Sequence, residues 1–100
     1  MYAAEVSSIV FEWDPQKAAS NVKKHGVSFE EARSVFADEF AKLIDDPAHS
    51  DNEDRFILLG LSSLLRVLVV CHCCRGRDGV IRLISARKAN ASESTQYTRR

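Results

Sequence analysis

The chain has 100 residues, 45% of them hydrophobic and 28% charged. That balance fits one globular domain over residues 1–100 and excludes a disordered segment or a second domain. The formal net charge is zero, yet residues 1–54 carry five basic and twelve acidic side chains while residues 55–100 carry nine basic and two acidic ones.

Eight of those nine C-terminal cations are arginines. Two explanations compete for the asymmetry: the halves neutralise each other inside one fold, or the second half faces an anionic partner. Arginine suits the latter, because its planar fork grips phosphate at two points. The longest apolar run, Val67 to Cys71, is too short to span a bilayer. Met1–Val10 has no basic stretch, and Glu5 interrupts its weak apolarity. No secretion signal is read there, and a cytoplasmic location is expected. Cys71, Cys73 and Cys74 are an odd number of thiols in one short segment, which is not a disulfide framework.

In chain order, Ile9 to Trp13 alternates apolar residues and predicts a short strand. Asp14-Pro15 opens a helix, with Asp14 as cap and Pro15 where a missing N–H costs nothing. Lys23, Lys24 and His25 suit its C-terminal dipole, and Gly26 suits a left-handed cap. Ser28 to Glu31 reads as a reciprocal capping box for a second helix, whose Phe29, Ala32, Val35 and Phe36 share a face. The short joint makes a helical hairpin that needs a sheet to cover.

Strands are predicted over Ala41–Asp46, Arg55–Gly60, Arg66–Arg75 and Val80–Arg87. A polar loop over 46–52, a turn at Gly60–Ser63 and a hairpin turn at Gly76–Gly79 separate them. Asn90, with Glu93 three residues on, starts a short helix to about Tyr97. The order β-α-α-β-β-β-β-α describes an α+β fold, with the hairpin packed on an antiparallel meander. The far face of the sheet is also apolar, so it is either partly covered or meant for a partner.

Strict alternation puts Val80, Arg82, Ile84 and Ala86 on one face of the last strand and Ile81, Leu83, Ser85 and Arg87 on the other. Arg66, Leu68, Val70, His72 and Cys74 share a face of the strand before it. Cations in apolar strands are costly to bury unpaired, so Arg55, His72, Arg82 and Arg87 belong at a rim or groove. Structural roles compete at each. Arg55 can pair with Glu53 or Asp54, and Arg82 with Glu30 or Glu31. His72 can be a core histidine, and Lys23, Lys24 and His25 only a helix end. Neighbouring strand residues point to opposite faces, so Cys71 to Cys74 cannot assemble the four ligands of structural zinc. No metal or other cofactor is expected.

Phe11-Glu12-Trp13-Asp14-Pro15 continues through Lys17, Ala18, Asn21 and Lys24-His25-Gly26-Val27-Ser28-Phe29-Glu30-Glu31-Ala32. Val35-Phe36-Ala37-Asp38, Asp46-Pro47, Glu53, Arg55-Phe56, Gly60 and Arg82-Leu83-Ile84-Ser85-Ala86-Arg87-Lys88-Ala89 follow, with Glu93 and Tyr97 at the end. This pattern, from Phe11 to Tyr97, resembles the BrnT toxin family. The resemblance implies a RelE-like fold, metal-independent RNA cleavage that inhibits translation and growth, and neutralisation by a BrnA-type antitoxin. It also implies that the antitoxin's ribbon-helix-helix domain binds operator DNA, which the toxin reaches only through that partner.

For metal-free cleavage, which uses the RNA 2′-hydroxyl as nucleophile, Arg55, Arg82 and Arg87 are assigned to phosphate binding and charge stabilisation. His72 or His25 is assigned to proton transfer. Lys23, Lys24, His25, Lys88 and Tyr97 are candidate RNA contacts, and Trp13 is either a stacking platform or core. Two other functions fit the same fold: a non-catalytic module that binds antitoxin or nucleic acid, and a toxin acting on DNA gyrase. The apolar sheet faces suggest a chain that is rarely alone, and the resemblance allows a dimer or a heterotetramer with the antitoxin.

Overall fold

The computed structural model describes residues 9–45, 55–75 and 79–99. Strand β1 (Val10–Glu12) leads into helix α1 (Pro15–His25), then α2 (Phe29–Ser34) with a 3₁₀ turn over Val35–Ala37. Strands β2 (Lys42–Asp45), β3 (Arg55–Leu61), β4 (Val67–Arg75) and β5 (Val80–Lys88) follow, and helix α3 (Ala91–Thr98) closes the fold. The polar loop after β2 and Gly76-Arg77-Asp78 of the expected hairpin turn lie outside the described residues. No helix among the described residues is long and apolar enough to cross a membrane.

Local chemistry sets the helix ends. Asp14 accepts from the Gln16 N–H at 2.8 Å, and Gly26 adopts φ 70° as the left-handed cap of α1. Ser28 accepts from the Glu31 N–H at 3.0 Å. The predicted capping box is only half made, because the Glu31 carboxylate turns inward to Arg66 and Ser62. At α3 the reciprocal box is complete between Asn90 and Glu93.

The meander forms as expected, and β1 joins it parallel to β5, giving the order β1-β5-β4-β3-β2. One face carries the helical hairpin over Leu58, Leu68, Val70, Leu83 and Ala86. The other is crossed near one end by α3, where Tyr97 packs with Leu59 and Val69. Gly60 is a point of close approach inside β3 and not a turn residue: a Cβ there would lie 2.8 Å from both Ala41 Cβ and Val35 Cγ1. The turn sits further on, where the Leu65 N–H donates to the Ser62 carbonyl and Leu65 takes φ 62°.

Two buried polar groups hold the hairpin to the sheet. Asn21 donates to the carbonyls of Val27 and Ala86 at 2.9 and 2.8 Å and accepts from the Ala86 N–H at 3.1 Å. Its amide thus satisfies the edge of β5 where no strand does. Glu31 forms an ion pair with Arg66 and accepts from the Ser62 hydroxyl at 2.7 Å. The Arg66 guanidinium holds the Glu31 carboxyl below the ordinary carboxylate range, against the upward pull of burial.

Candidate nucleic-acid interface

Pairing along the sheet decides which side chains share a face, because directly opposed residues project to the same side. Arg82 opposes Cys73, which opposes Arg55, and Glu12 opposes Arg82 from the far side. The next row toward α3 is Ser85, Cys71, Ile57 and Ile44. The row beneath α3 is Arg87, Val69, Leu59 and Lys42. Arg55, Arg82 and Arg87 therefore belong to one face, the one opposite the helical hairpin.

A β-bulge makes this so. Cys71 opposes Ser85 and His72 opposes Leu83, so Ile84 is an extra residue in β5. The insertion reverses the alternation beyond it. Regular alternation separates Arg82 from Arg87; the bulge corrects that expectation and brings them together. Arg55 stands two strands from Arg82, roughly 10 Å across the sheet, and the Arg82 and Arg87 rows are roughly 13 Å apart along β4.

Arg82 and Arg87 remain open to solvent, with side chains 34% and 43% exposed. Each is also held by a carboxylate. Arg82 gives one Nη1 donor to Glu12 at 3.2 Å, not to Glu30 or Glu31 of the hairpin, and the rest of its fork meets no other carboxylate among the described residues. Arg87 makes a two-point contact with Glu93, at 2.8 Å from each Nη. That contact raises the Arg87 pKa and lowers that of Glu93.

Two expectations are corrected by burial, and Trp13 takes the core place, one of its two alternatives. His72 does not reach the arginine face. It lies on the hairpin side, 2% exposed, with its ring 4.9 Å from the centroid of Phe36 and 6.1 Å from that of Phe56. Burial pushes its pKa below the ordinary imidazole value, partly offset by the Val70 carbonyl. Tyr97 is 8% exposed and donates its hydroxyl to Asp38 at 2.7 Å, so it docks α3 and is no free platform for a base. Trp13 packs against the core, edge-on to Phe29 at 5.8 Å.

The remaining candidates divide by position. Lys24 and His25 line a shallow depression beside the bulge, together with Lys17, Asn21, Ile84 and Ser85. Ser85 thus belongs both to this depression and to the row between Arg82 and Arg87. Lys23 is exposed but does not line the depression, and Lys88 opposes Leu68 at the end of β5, on the hairpin side. Lys17 and Ser85 escape a sequence reading, because only the bulge and the course of α1 bring them together. The cysteines divide likewise, with Cys71 and Cys73 on the arginine face and Cys74 on the other.

The described residues thus form a five-stranded sheet with an arginine-bearing face, a helical hairpin behind it and a short closing helix. The chain superposes with a TM-score of 0.65 and 25% identity on the 1.1 Å crystal structure of the Brucella abortus ribonuclease toxin BrnT. The match covers 82% of this chain and 97% of that one. Residues 13–93 match the family model of BrnT, described as the ribonuclease toxin of a type II toxin-antitoxin system, and the chain belongs to that family. No curated protein sequence matches it.

Proposed function

We propose that this protein is a metal-independent endoribonuclease that arrests growth until a BrnA-type antitoxin binds it, and that it acts in the cytoplasm. Family membership supports an antitoxin partner and ribonuclease activity in general. The observation that carries the catalytic reading is the placement of Arg82 and Arg87 on one open face, either side of Ser85 and Cys71.

In this reading single-stranded RNA lies across the sheet face with a phosphate between the arginines. The 2′-oxygen attacks the adjacent phosphorus, the bond to the 5′-oxygen breaks, and a 2′,3′-cyclic phosphate and a 5′-hydroxyl result. Arg82 and Arg55 hold the non-bridging oxygens, and Arg87 joins them when phosphate competes with Glu93. In that exchange phosphate takes the two Nη donors that Glu93 now holds, so the guanidinium keeps its hydrogen bonds. Until then Glu12 and Glu93 keep the two forks oriented. His25, at the rim beside Ser85, takes the proton-transfer role, because His72 lies on the wrong side of the sheet.

A non-catalytic reading rests on the same two pairs: arginines already matched to carboxylates can serve binding alone. Expression of the chain without antitoxin separates the two. The catalytic reading expects growth arrest with cleaved transcripts, and relief of both by Arg82→Ala in a protein that still folds. Arrest with intact RNA, or equal activity of parent and variant, removes it.

A further inference from the structure

We propose that the depression between the last turns of α1 and the bulge of β5 is a phosphate subsite for the RNA nucleotide next to the cleaved one, held by Lys17 and Lys24. This deepens the ribonuclease reading above and rests on it.

The depression has a structural origin. β1 covers β5 only as far as Arg82, and then the chain leaves through Trp13 and Asp14 into α1. Asn21 caps the edge again at Ala86. Between them, Ile84 and Ser85 lie where the bulge widens the strand, and no described strand covers that side. Helical spacing then selects the cations above this gap. Lys17, Lys24 and His25 stand four before, three after and four after buried Asn21, so they share its face of α1, whereas Lys23 does not.

The electrostatics differ from those of the arginine face. Arg82 and Arg87 each hold a carboxylate, but among the described residues no acidic one lines the depression. Lys17 and Lys24 make no ion pair among the described residues, so phosphate displaces no carboxylate there. Lysine acts as a point charge without demanding fork geometry, which suits a flanking phosphate better than the reacting one. Lys24, in the last turn of α1, also offsets the negative end of the helix dipole. Ser85 joins both places, so a strand leaving the arginine face over the β5 edge passes directly into the depression.

The test uses the full chain and a 2′-O-methylated RNA hexanucleotide, which lacks the attacking hydroxyl. Affinity is measured across a salt series for the parent, the Lys17→Ala/Lys24→Ala double variant, and the Lys17→Arg/Lys24→Arg variant. Releasing one phosphate contact is expected to lower the slope of log affinity against log salt by about 0.7. The arginine pair is expected to restore the parent slope, and circular dichroism to show all three equally folded. An unchanged slope in the alanine variant, with the probe still bound and unmodified RNA of the same sequence still cut in an Arg82-dependent way, overturns the subsite alone. The lysines then only guard the strand edge against pairing. A parent that neither binds nor cuts RNA overturns the ribonuclease reading as well.

Discussion

Arg82 and Arg87 lie five residues apart on one strand, an odd spacing that regular β-structure sends to opposite faces, yet both face the same side of the sheet. The extra residue Ile84 corrects the phase. A cluster that is out of step in the sequence is therefore in step in three dimensions, and it stands on rigid strands instead of loops.

Substituting either arginine tests this cluster. Arg82→Ala and Arg87→Ala are each expected to lower RNA cleavage by about 10²–10³-fold, the usual cost of removing one stabiliser of transition-state charge. Thermal unfolding should change little for Arg82→Ala, whose pair with Glu12 is single and partly exposed, and modestly for Arg87→Ala, whose two-point pair with Glu93 ties β5 to α3. A large fall in stability with unaltered cleavage by the remaining folded protein would make them structural.

His72 is expected to matter for stability and not for cleavage. His72→Leu should keep cleavage within a few-fold of the parent. Its buried ring is neutral in the fold, with a pKa below the ordinary imidazole value of 6.5, so the unfolded chain binds the proton first as pH falls. The parent should lose stability progressively below about pH 6.5, and the leucine variant should lack that component. Thermal melts of both proteins between pH 7 and pH 5 measure it.

Glu31 and Glu93 predict a separate acid limb. Both carboxyls lie below their ordinary value, chiefly through hydrogen bonds from Arg66 and Arg87. Their contribution is present above the unfolded pKa of about 4.3 and is lost as pH falls through the lower folded values. Glu31→Gln should flatten this limb in urea titrations at pH 3–5, and an unchanged limb would place its origin elsewhere.

Much of the fold was legible from local chemistry. Asp14-Pro15, Gly26, Ser28 and the Asn90–Glu93 box mark helix ends because each satisfies backbone groups within a few residues. The parallel seat of β1 and the bulge at Ile84 are not local, since they depend on which strands meet and in what register. The site was legible as a set of arginines but not as a face. His72 and Tyr97 have side chains common to both catalytic and core positions, and only their burial separates the two roles. Glu31 reads as a capping residue until Arg66 and Ser62, more than thirty positions away, draw its carboxylate inward.

Asn21 offers a packing test. Asn21→Ala leaves the buried polar groups of Ala86 and Val27 short of three hydrogen bonds. A loss of about 2–4 kcal/mol in denaturant unfolding is expected. A loss below about 0.5 kcal/mol would mean that water or a neighbouring group replaces the amide.

The most direct measurement is incubation of the purified chain with single-stranded RNA in excess EDTA, with parent and Arg82→Ala side by side and the product ends identified. The parent is expected to cut and leave 2′,3′-cyclic phosphate and 5′-hydroxyl ends, while the variant cuts at least tenfold more slowly, a loss of about 1.4 kcal/mol or more in transition-state stabilisation. No cleavage by the folded parent, cleavage that requires an added divalent ion, or equal rates for the two proteins would contradict the account.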